Sequence, residues 1–285
     1  MEKIRIAVQK SGRLSEDSLS LLRECGIKFS NGMRKLKSEA ANFPIEFLFL
    51  RDDDIPGYVE DGVADIGIVG ENVAVEKGRE VTIAKRLGFS KCRLSLAVAK
   101  NAQYNSLEDL EGGNIATSYP VILGQYLKEK GVKATIHEIS GSVEIAPSIG
   151  LAEAICDIVS SGSTLFMNGL KEVETIFRSE AVLIKGTALS AEKLEILDRL
   201  LFRIDAVQRG KNNKYILLNA PEDQLQEIIR ILPGMRSPTV LPLAEKGWNS
   251  VHSVIQEEEF WEVIDQLKAA GAEGILVVPI EKMIL

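Results

Sequence analysis

The stretch Asp157-Ile158-Val159-Ser160-Ser161-Gly162-Ser163-Thr164-Leu165 is an apolar strand that runs into five consecutive small residues, four of them hydroxylic, and then into a helix. Strand, tight glycine-containing turn and helix in that order form the repeating unit of an α/β sheet. The order extends on both sides. Upstream, a strand over 114–117 leads to a helix over 120–130, a strand over 135–139 and a helix over 147–154; downstream, a helix over 163–170 precedes a strand over 182–184. Nearer the start, apolar runs at 4–8, 46–50, 66–69, 81–87 and 93–99 read as strands, with helices over 14–25 and 52–61. The alternation predicts parallel α/β sheets with helices on both faces.

A long helix over 190–208 ends at Arg209-Gly210-Lys211-Asn212-Asn213, whose polar residues and glycine mark a linker. Beyond it the order changes to strand 215–219, helix 222–231, strands 239–241 and 250–255, helix 258–269 and strand 274–278. This βαββαβ order is that of a ferredoxin-like unit, which suits a small regulatory or pairing module.

Lys+Arg number 34 against Asp+Glu 41, a formal charge of -7. A chain that binds nucleic acid through counterion release is normally basic, so nucleic acid is excluded as a bulk partner, while a local anion site stays open. His137 and His252 are too far apart in the chain to suggest a His-rich metal site or a Ser-His-Asp triad; carboxylate-bound Mg2+ stays open. Cys25, Cys92 and Cys156 are odd in number and widely spaced, which predicts buried free thiols in a reducing compartment. No run approaches the ~18 apolar residues that span a bilayer, and the first strand starts at Ile4 with no leader-like segment before it. These features predict a cytoplasmic protein with no membrane partner.

The loop Ser160–Thr164 supplies what a phosphate needs: backbone N–H groups at a helix start, hydroxyl donors and a glycine that permits close approach. Asp157, just ahead of it, would repel a phosphate but suits sugar hydroxyls, and the pair points to a ribose phosphate. The alternative is a serine turn with Ser161 or Ser163 as helix cap. Lys10 and Arg13 flank Gly12 after the first strand, at a helix start where cations are unfavourable unless an anion meets them; solvated charges on a turn are the other reading. Arg51-Asp52-Asp53-Asp54 follows another strand, and its carboxylates suit either a metal or a helix N-terminus. The glycine-rich strand Asp65–Gly70 resembles those of two-lobed solute-binding folds. In an open parallel sheet ligands bind beyond the carboxyl ends of the strands, where these clusters lie.

Taken together, Lys10–Leu14, Arg51–Pro56, Gly62–Gly70, Ile115–Pro120, Gly141–Leu165, Pro233–Pro242 and Ile275–Met283 resemble the long form of the ATP phosphoribosyltransferase family over essentially the whole chain. The resemblance implies a two-lobed, periplasmic-binding-protein-like catalytic core with a C-terminal ferredoxin-like (ACT-like) regulatory domain. It divides the chain into lobe I (1–94 with 182–208), lobe II (95–181) and a histidine-binding domain (212–285). It implies that ring nitrogen 1 of ATP attacks the anomeric carbon of 5-phosphoribosyl-1-pyrophosphate (PRPP) and pyrophosphate leaves, in the opening step of histidine biosynthesis. Carried over by position, Ser160, Ser161, Gly162, Ser163 and Thr164 hold the 5′-phosphate, and Glu144 and Asp157 the ribose hydroxyls. Lys10, Gly12, Arg13, Arg51 and Glu71 face the pyrophosphate and nucleotide. Glu71 stands in a Gly-Glu-Asn run where many relatives have Gly-Leu-Asp. Mg2+ is held mainly through substrate phosphates. Met235, Ser237, Thr239 and Gly274 meet histidine as inhibitor between neighbouring regulatory domains of a homo-oligomer, a hexamer built from dimers, with no separate regulatory subunit. A two-lobed solute-binding or ligand-sensing module is the rival reading; the first usually carries a leader, the second a basic DNA-binding segment.

Overall fold

The computed structural model describes residues 2–30, 36–232 and 234–285; Pro233, part of the expected histidine loop, lies outside them. The chain divides into two compact units, 1–198 and 199–285.

In the first unit, β1 (Ile4–Gln9), α1 (Arg13–Glu24), β2 (Lys37–Glu39), β3 (Ile45–Leu50), α2 (Ile55–Glu60), β4 (Ile66–Gly70), α3 (Glu71–Lys77) and β5 (Thr82–Arg86) build lobe I. The chain then crosses into lobe II, made of β6 (Cys92–Ala99), β7 (Asn114–Thr117), α4 (Pro120–Lys130), β8 (Thr135–Glu138), β9 (Ala154–Val159), α5 (Ser163–Met167) and β10 (Leu170–Ser179). It returns through β11 (Ala181–Lys185) and enters α6 (Ala191–Asn212). The lobe I sheet runs β2-β3-β1-β4-β11-β5 and the lobe II sheet β10-β6-β9-β7-β8. Runs such as Ile4-Arg5-Ile6-Ala7-Val8 are strands because both faces are covered: Ile4, Ile6, Ala7 and Val8 are wholly buried.

The sheets are mixed rather than parallel. β1, β3 and β4 are parallel, as are β7, β8 and β9, but β5, β6, β10 and β11 pair antiparallel with their neighbours. The reversed strand of each sheet is the one the chain enters from the other lobe, β6 in lobe II and β11 in lobe I; β2 is a short antiparallel edge on β3. The lobe boundary expected at 94/95 falls inside β6, where Arg93 pairs with both Val159 and Arg178 of the second sheet; the crossing lies before Cys92, and the return is at Glu180. The helix expected over 147–154 is absent. A single 3-10 turn over Val143–Ile145 leads through irregular backbone into β9. β10 shows no period of two in the sequence, because between its buried ends charged and apolar residues alternate irregularly and nearly all are half-buried on both faces.

In the second unit, β12 (Asn213–Pro221), α7 (Leu225–Ile231), β13 (Thr239–Pro242), β14 (Trp248–Gln256), α8 (Glu257–Ala269) and β15 (Glu273–Pro279) form an antiparallel sheet in the order β13-β14-β12-β15. With both helices packed on the core of Ile216, Leu218, Val251 and Phe260, this is the ferredoxin-like arrangement. The expected linker is helical instead: 209–212 is the last turn of α6. Gly210 serves close approach, since a Cβ there would stand 2.7 Å from the Ile280 carbonyl oxygen.

Candidate active site

Parallel strands share a carboxyl edge, and in lobe I that edge carries the cations. Gln9 is in register with Leu50, and the Lys10 N–H donates to the Leu50 carbonyl at 2.8 Å, so Lys10 and Arg51 stand side by side. Both are exposed, and among the described residues neither has an ion-pair partner. Gly12 caps α1 without a side-chain hydrogen bond, and Arg13 extends into solvent with Asp17 3.9 Å away. The Asp52–Asp54 run forms a 3-10 turn that leads into α2, with Asp53 3.4 Å from Lys77. Acids at a helix start are thus its structural role.

The lobe II edge carries the hydroxyl loop. Gly162 takes φ +82° and holds the N-cap position of α5, while the Ser161 hydroxyl makes a long contact, 3.4 Å, with the Ser163 N–H. A left-handed turn costs glycine little. Here it leaves Ser160, Ser161, Ser163 and Thr164 exposed, with Ser161 and Ser163 joined through their hydroxyls at 3.0 Å. Asp157 is half-buried on β9, and its Oδ1 accepts the Ile158 N–H at 2.7 Å. Burial pushes its carboxyl above the usual range; the Ile158 N–H opposes that, and the neighbouring Glu144 carboxylate adds to it. Glu144, on the 3-10 turn, and Asp157 therefore form one acidic pair beside the loop.

Three residues outside the expected set join the edges. The Asn72 side chain donates to the Tyr119 hydroxyl at 3.2 Å and accepts from Ser179 at 2.8 Å. Glu76 of α3 accepts the N–H groups of Val121 and Ile122 at 2.9 and 3.0 Å, closing the first turn of α4 from the opposite lobe. Burial raises the Tyr119 phenol, relieved by Asn72, with Asp157 and Asp52 adding from the two lobes. A hollow of about 260 Å3 between the lobes is walled by Asp53 and Glu76 on one side and Ser118, Tyr119 and Ser140 on the other. The sequence signal for Tyr119 was its position between the end of a strand and the first helical proline; an interlobe cap such as Glu76 leaves no local signal.

Glu71, expected toward the nucleotide, is instead buried and held by both terminal nitrogens of Arg86. Its carboxylate is thereby paired, on the wall of a hollow of about 220 Å3 that Arg178 and Ser179 also line. Cys25 and Cys156 are buried free thiols, whereas Cys92 is only half-buried. Among the described residues no cluster of His, Cys, Asp and Glu is placed to hold a metal by itself, and no helix is long and apolar enough to cross a membrane. In the second unit Met235, Ser237 and Thr239 lie on or before edge strand β13, whereas Gly274 is on the opposite edge, β15. Three strand spacings, about 14 Å, part them within one chain.

The family model described as ATP phosphoribosyltransferase matches residues 51–206, and a curated ATP phosphoribosyltransferase from Cytophaga hutchinsonii is 64% identical over 99% of this chain and 98% of its own length. The chain belongs to the ATP phosphoribosyltransferase family. A second model, for the HisG C-terminal domain, matches 210–282. The relative from Parabacteroides distasonis is 62% identical over 99% of this chain and all of its own. Among solved structures, a chain of the ATP phosphoribosyl transferase (HisG:HisZ) complex from Thermotoga maritima superposes with a TM-score of 0.61 at 28% identity, covering 70% of this chain and 96% of that one. An ATP phosphoribosyltransferase is a pentosyltransferase that takes ATP and PRPP into histidine biosynthesis, and the solute-binding and sensing readings fall away.

Proposed function

We propose that the 5′-phosphate of PRPP sits in the loop formed by Ser160, Ser161, Gly162, Ser163 and Thr164, with Glu144 and Asp157 accepting its ribose hydroxyls. The observation that carries this reading is the solvent-facing hydroxyl turn directly after a half-buried carboxylate that feels the Glu144 charge. Lys10, Arg13 and Arg51 meet the pyrophosphate and the nucleotide phosphates from lobe I. The attacking nitrogen belongs to ATP, so the protein needs no nucleophile of its own; its work is to align two substrates and to balance charge as pyrophosphate departs. The donor set suits a magnesium ion that arrives on PRPP, because the nearby carboxylates are engaged or suited to hydroxyls and Mg2+ favours phosphate oxygens. When bound, it would neutralise charge on the departing pyrophosphate. Magnesium-dependent release of pyrophosphate from PRPP plus ATP, compared between the wild type and Gly162→Val, tests the reading. Unchanged PRPP affinity in a folded variant would refute it.

The same reading takes the second unit as the regulatory module. Histidine then binds between units of neighbouring copies, where the Ser237 and Thr239 edge of one meets the Gly274 edge of the next. The opposite placement of these residues in one chain supports an oligomeric site, and a hexamer built from dimers is the assembly we infer. The Thermotoga chain, named as part of a two-protein complex, matches only 70% of this chain, whereas this chain carries its own C-terminal unit, which supports function without a separate regulatory subunit. Free cysteines are in keeping with a cytoplasmic setting.

A further inference from the structure

We propose that Arg93 and Glu172 are positioning residues that set the direction of the phosphate loop's first N–H group. Arg93 lies on β6 opposite Val159, and its Nη1 donates to the Ser160 carbonyl oxygen at 3.2 Å. Its Nε and Nη2 donate to the two oxygens of Glu172 at 2.5 and 2.6 Å. Glu172 is fixed in turn by the Ser95 hydroxyl, which donates to Oε1 at 2.8 Å. The fork of one guanidinium thus spans from a β10 carboxylate to the peptide between Ser160 and Ser161. That peptide is trans and planar, so its C=O and N–H point in opposite directions. With the carbonyl drawn to Arg93, the Ser161 N–H is turned the other way, away from the guanidinium. Left free, the peptide could rotate and present a carbonyl dipole to an anion.

Both partners sit where the sheet geometry can hold them. Ser95 is in register with Asp157 and Glu172 with Ala97, and paired strand residues project to the same face. Irregularities in β10 on either side of Glu174 and Thr175 shorten the reach between Glu172 and Arg93, a common use of bulges beside functional sites. The Arg93 hydrogen bonds hold the Glu172 carboxyl below its ordinary range, with Ser95 assisting.

The inference rests on the assignment of Ser160–Thr164 as the 5′-phosphate loop. Steady-state kinetics of Arg93→Met should show the KM for PRPP and the inhibition constant of ribose 5-phosphate rising together by about 10-fold. The inhibition constant of pyrophosphate and the KM for ATP should stay near wild type, while the melting temperature falls modestly because Glu172 loses its partner. Glu172→Gln, which keeps the shape, should move the same two constants by about 3-fold, and it carries the test if Arg93→Met does not fold. Arg93→Lys, which cannot bridge both partners, should fall between wild type and Arg93→Met. Unchanged PRPP and ribose 5-phosphate constants would overturn the proposal, as would a uniform loss for all ligands. Thr164→Ala separates the two levels. If it weakens PRPP and Arg93→Met does not, only the positioning role fails; if it leaves PRPP unchanged, the loop assignment fails and takes this proposal with it.

Discussion

Replacing Asp157 by Asn separates binding from folding in opposite directions. In the free protein the carboxylate is half-buried, with one N–H donor and the Glu144 charge close by, and its folded pKa lies above the ordinary value. The native state therefore holds the Asp157 proton to higher pH than the unfolded chain does, and stability falls as pH rises through that window. At neutral pH the ionised group is a net cost, and Asn removes it. The melting temperature of Asp157→Asn should equal or exceed that of wild type, by a small margin because solvent screens a half-exposed group. Binding moves the other way. A carboxylate accepts from a ribose hydroxyl on either oxygen, whereas the amide offers one acceptor and an NH2 that cannot accept. Loss of one charge-assisted hydrogen bond costs roughly 1.5–3 kcal/mol, or about a 10- to 150-fold fall in kcat/KM for PRPP, with a milder change for ATP. In wild type, PRPP affinity should fall as pH drops through the raised pKa, and the variant should lose that dependence. Calorimetric melting and pH-resolved kinetics read both arms. Wild-type turnover, or a destabilised variant with unchanged pH dependence, would refute the reasoning.

Gly162→Val forces a branched residue into φ +82°, and Thr164→Ala deletes a hydroxyl; each should weaken PRPP binding by roughly 1.5–3 kcal/mol, measured by titration calorimetry, with little change in melting for Thr164→Ala. Lys10→Ala and Arg51→Ala should leave stability within about 0.5 kcal/mol, since neither has an ion-pair partner among the described residues, while raising the KM for the nucleotide and flattening its salt dependence. Glu76→Ala strips the acceptor from two N–H groups of α4 and should cost about 1–2 kcal/mol, read as a lower denaturation midpoint. Ser237→Ala and Thr239→Ala should raise the histidine concentration needed for inhibition without altering the KM for PRPP. These substitutions are cleaner than truncation after Gln208, which would cut α6 inside the second compact unit.

The parts legible in the sequence are those whose physics is local. Ile4–Gln9, Asn114–Thr117 and the C-terminal βαββαβ order show in apolar runs and caps, and the hydroxyl turn after Asp157 shows in composition alone. What escaped depends on partners remote in the chain. Gly210 looks like a linker residue until the Ile280 carbonyl arrives against it, and the charges of β10 disguise a strand because its acids answer Arg93, Tyr104 and Tyr126 on other elements. Glu71 lies in a stretch that suggests the nucleotide side; only the fold brings Arg86, fifteen residues on, to pair with it.

The proposed division of labour between the lobes would explain why so few of the expected residues touch one another. PRPP carries a phosphate at one end and a pyrophosphate at the other, so a single cradle cannot serve both. Lobe II presents donors and two carboxylates, a combination that fits a sugar phosphate and rejects a bare polyphosphate. Lobe I presents Lys10 and Arg51, without ion-pair partners among the described residues, a combination that suits the polyphosphate. On the proposed reading the reacting carbon lies between them, next to the contacts that span the lobes: Asn72 to Tyr119, and Glu76 to the start of α4. Substitutions on the two edges should therefore separate by substrate, whereas substitutions at the spanning contacts should change the kinetics of both substrates together.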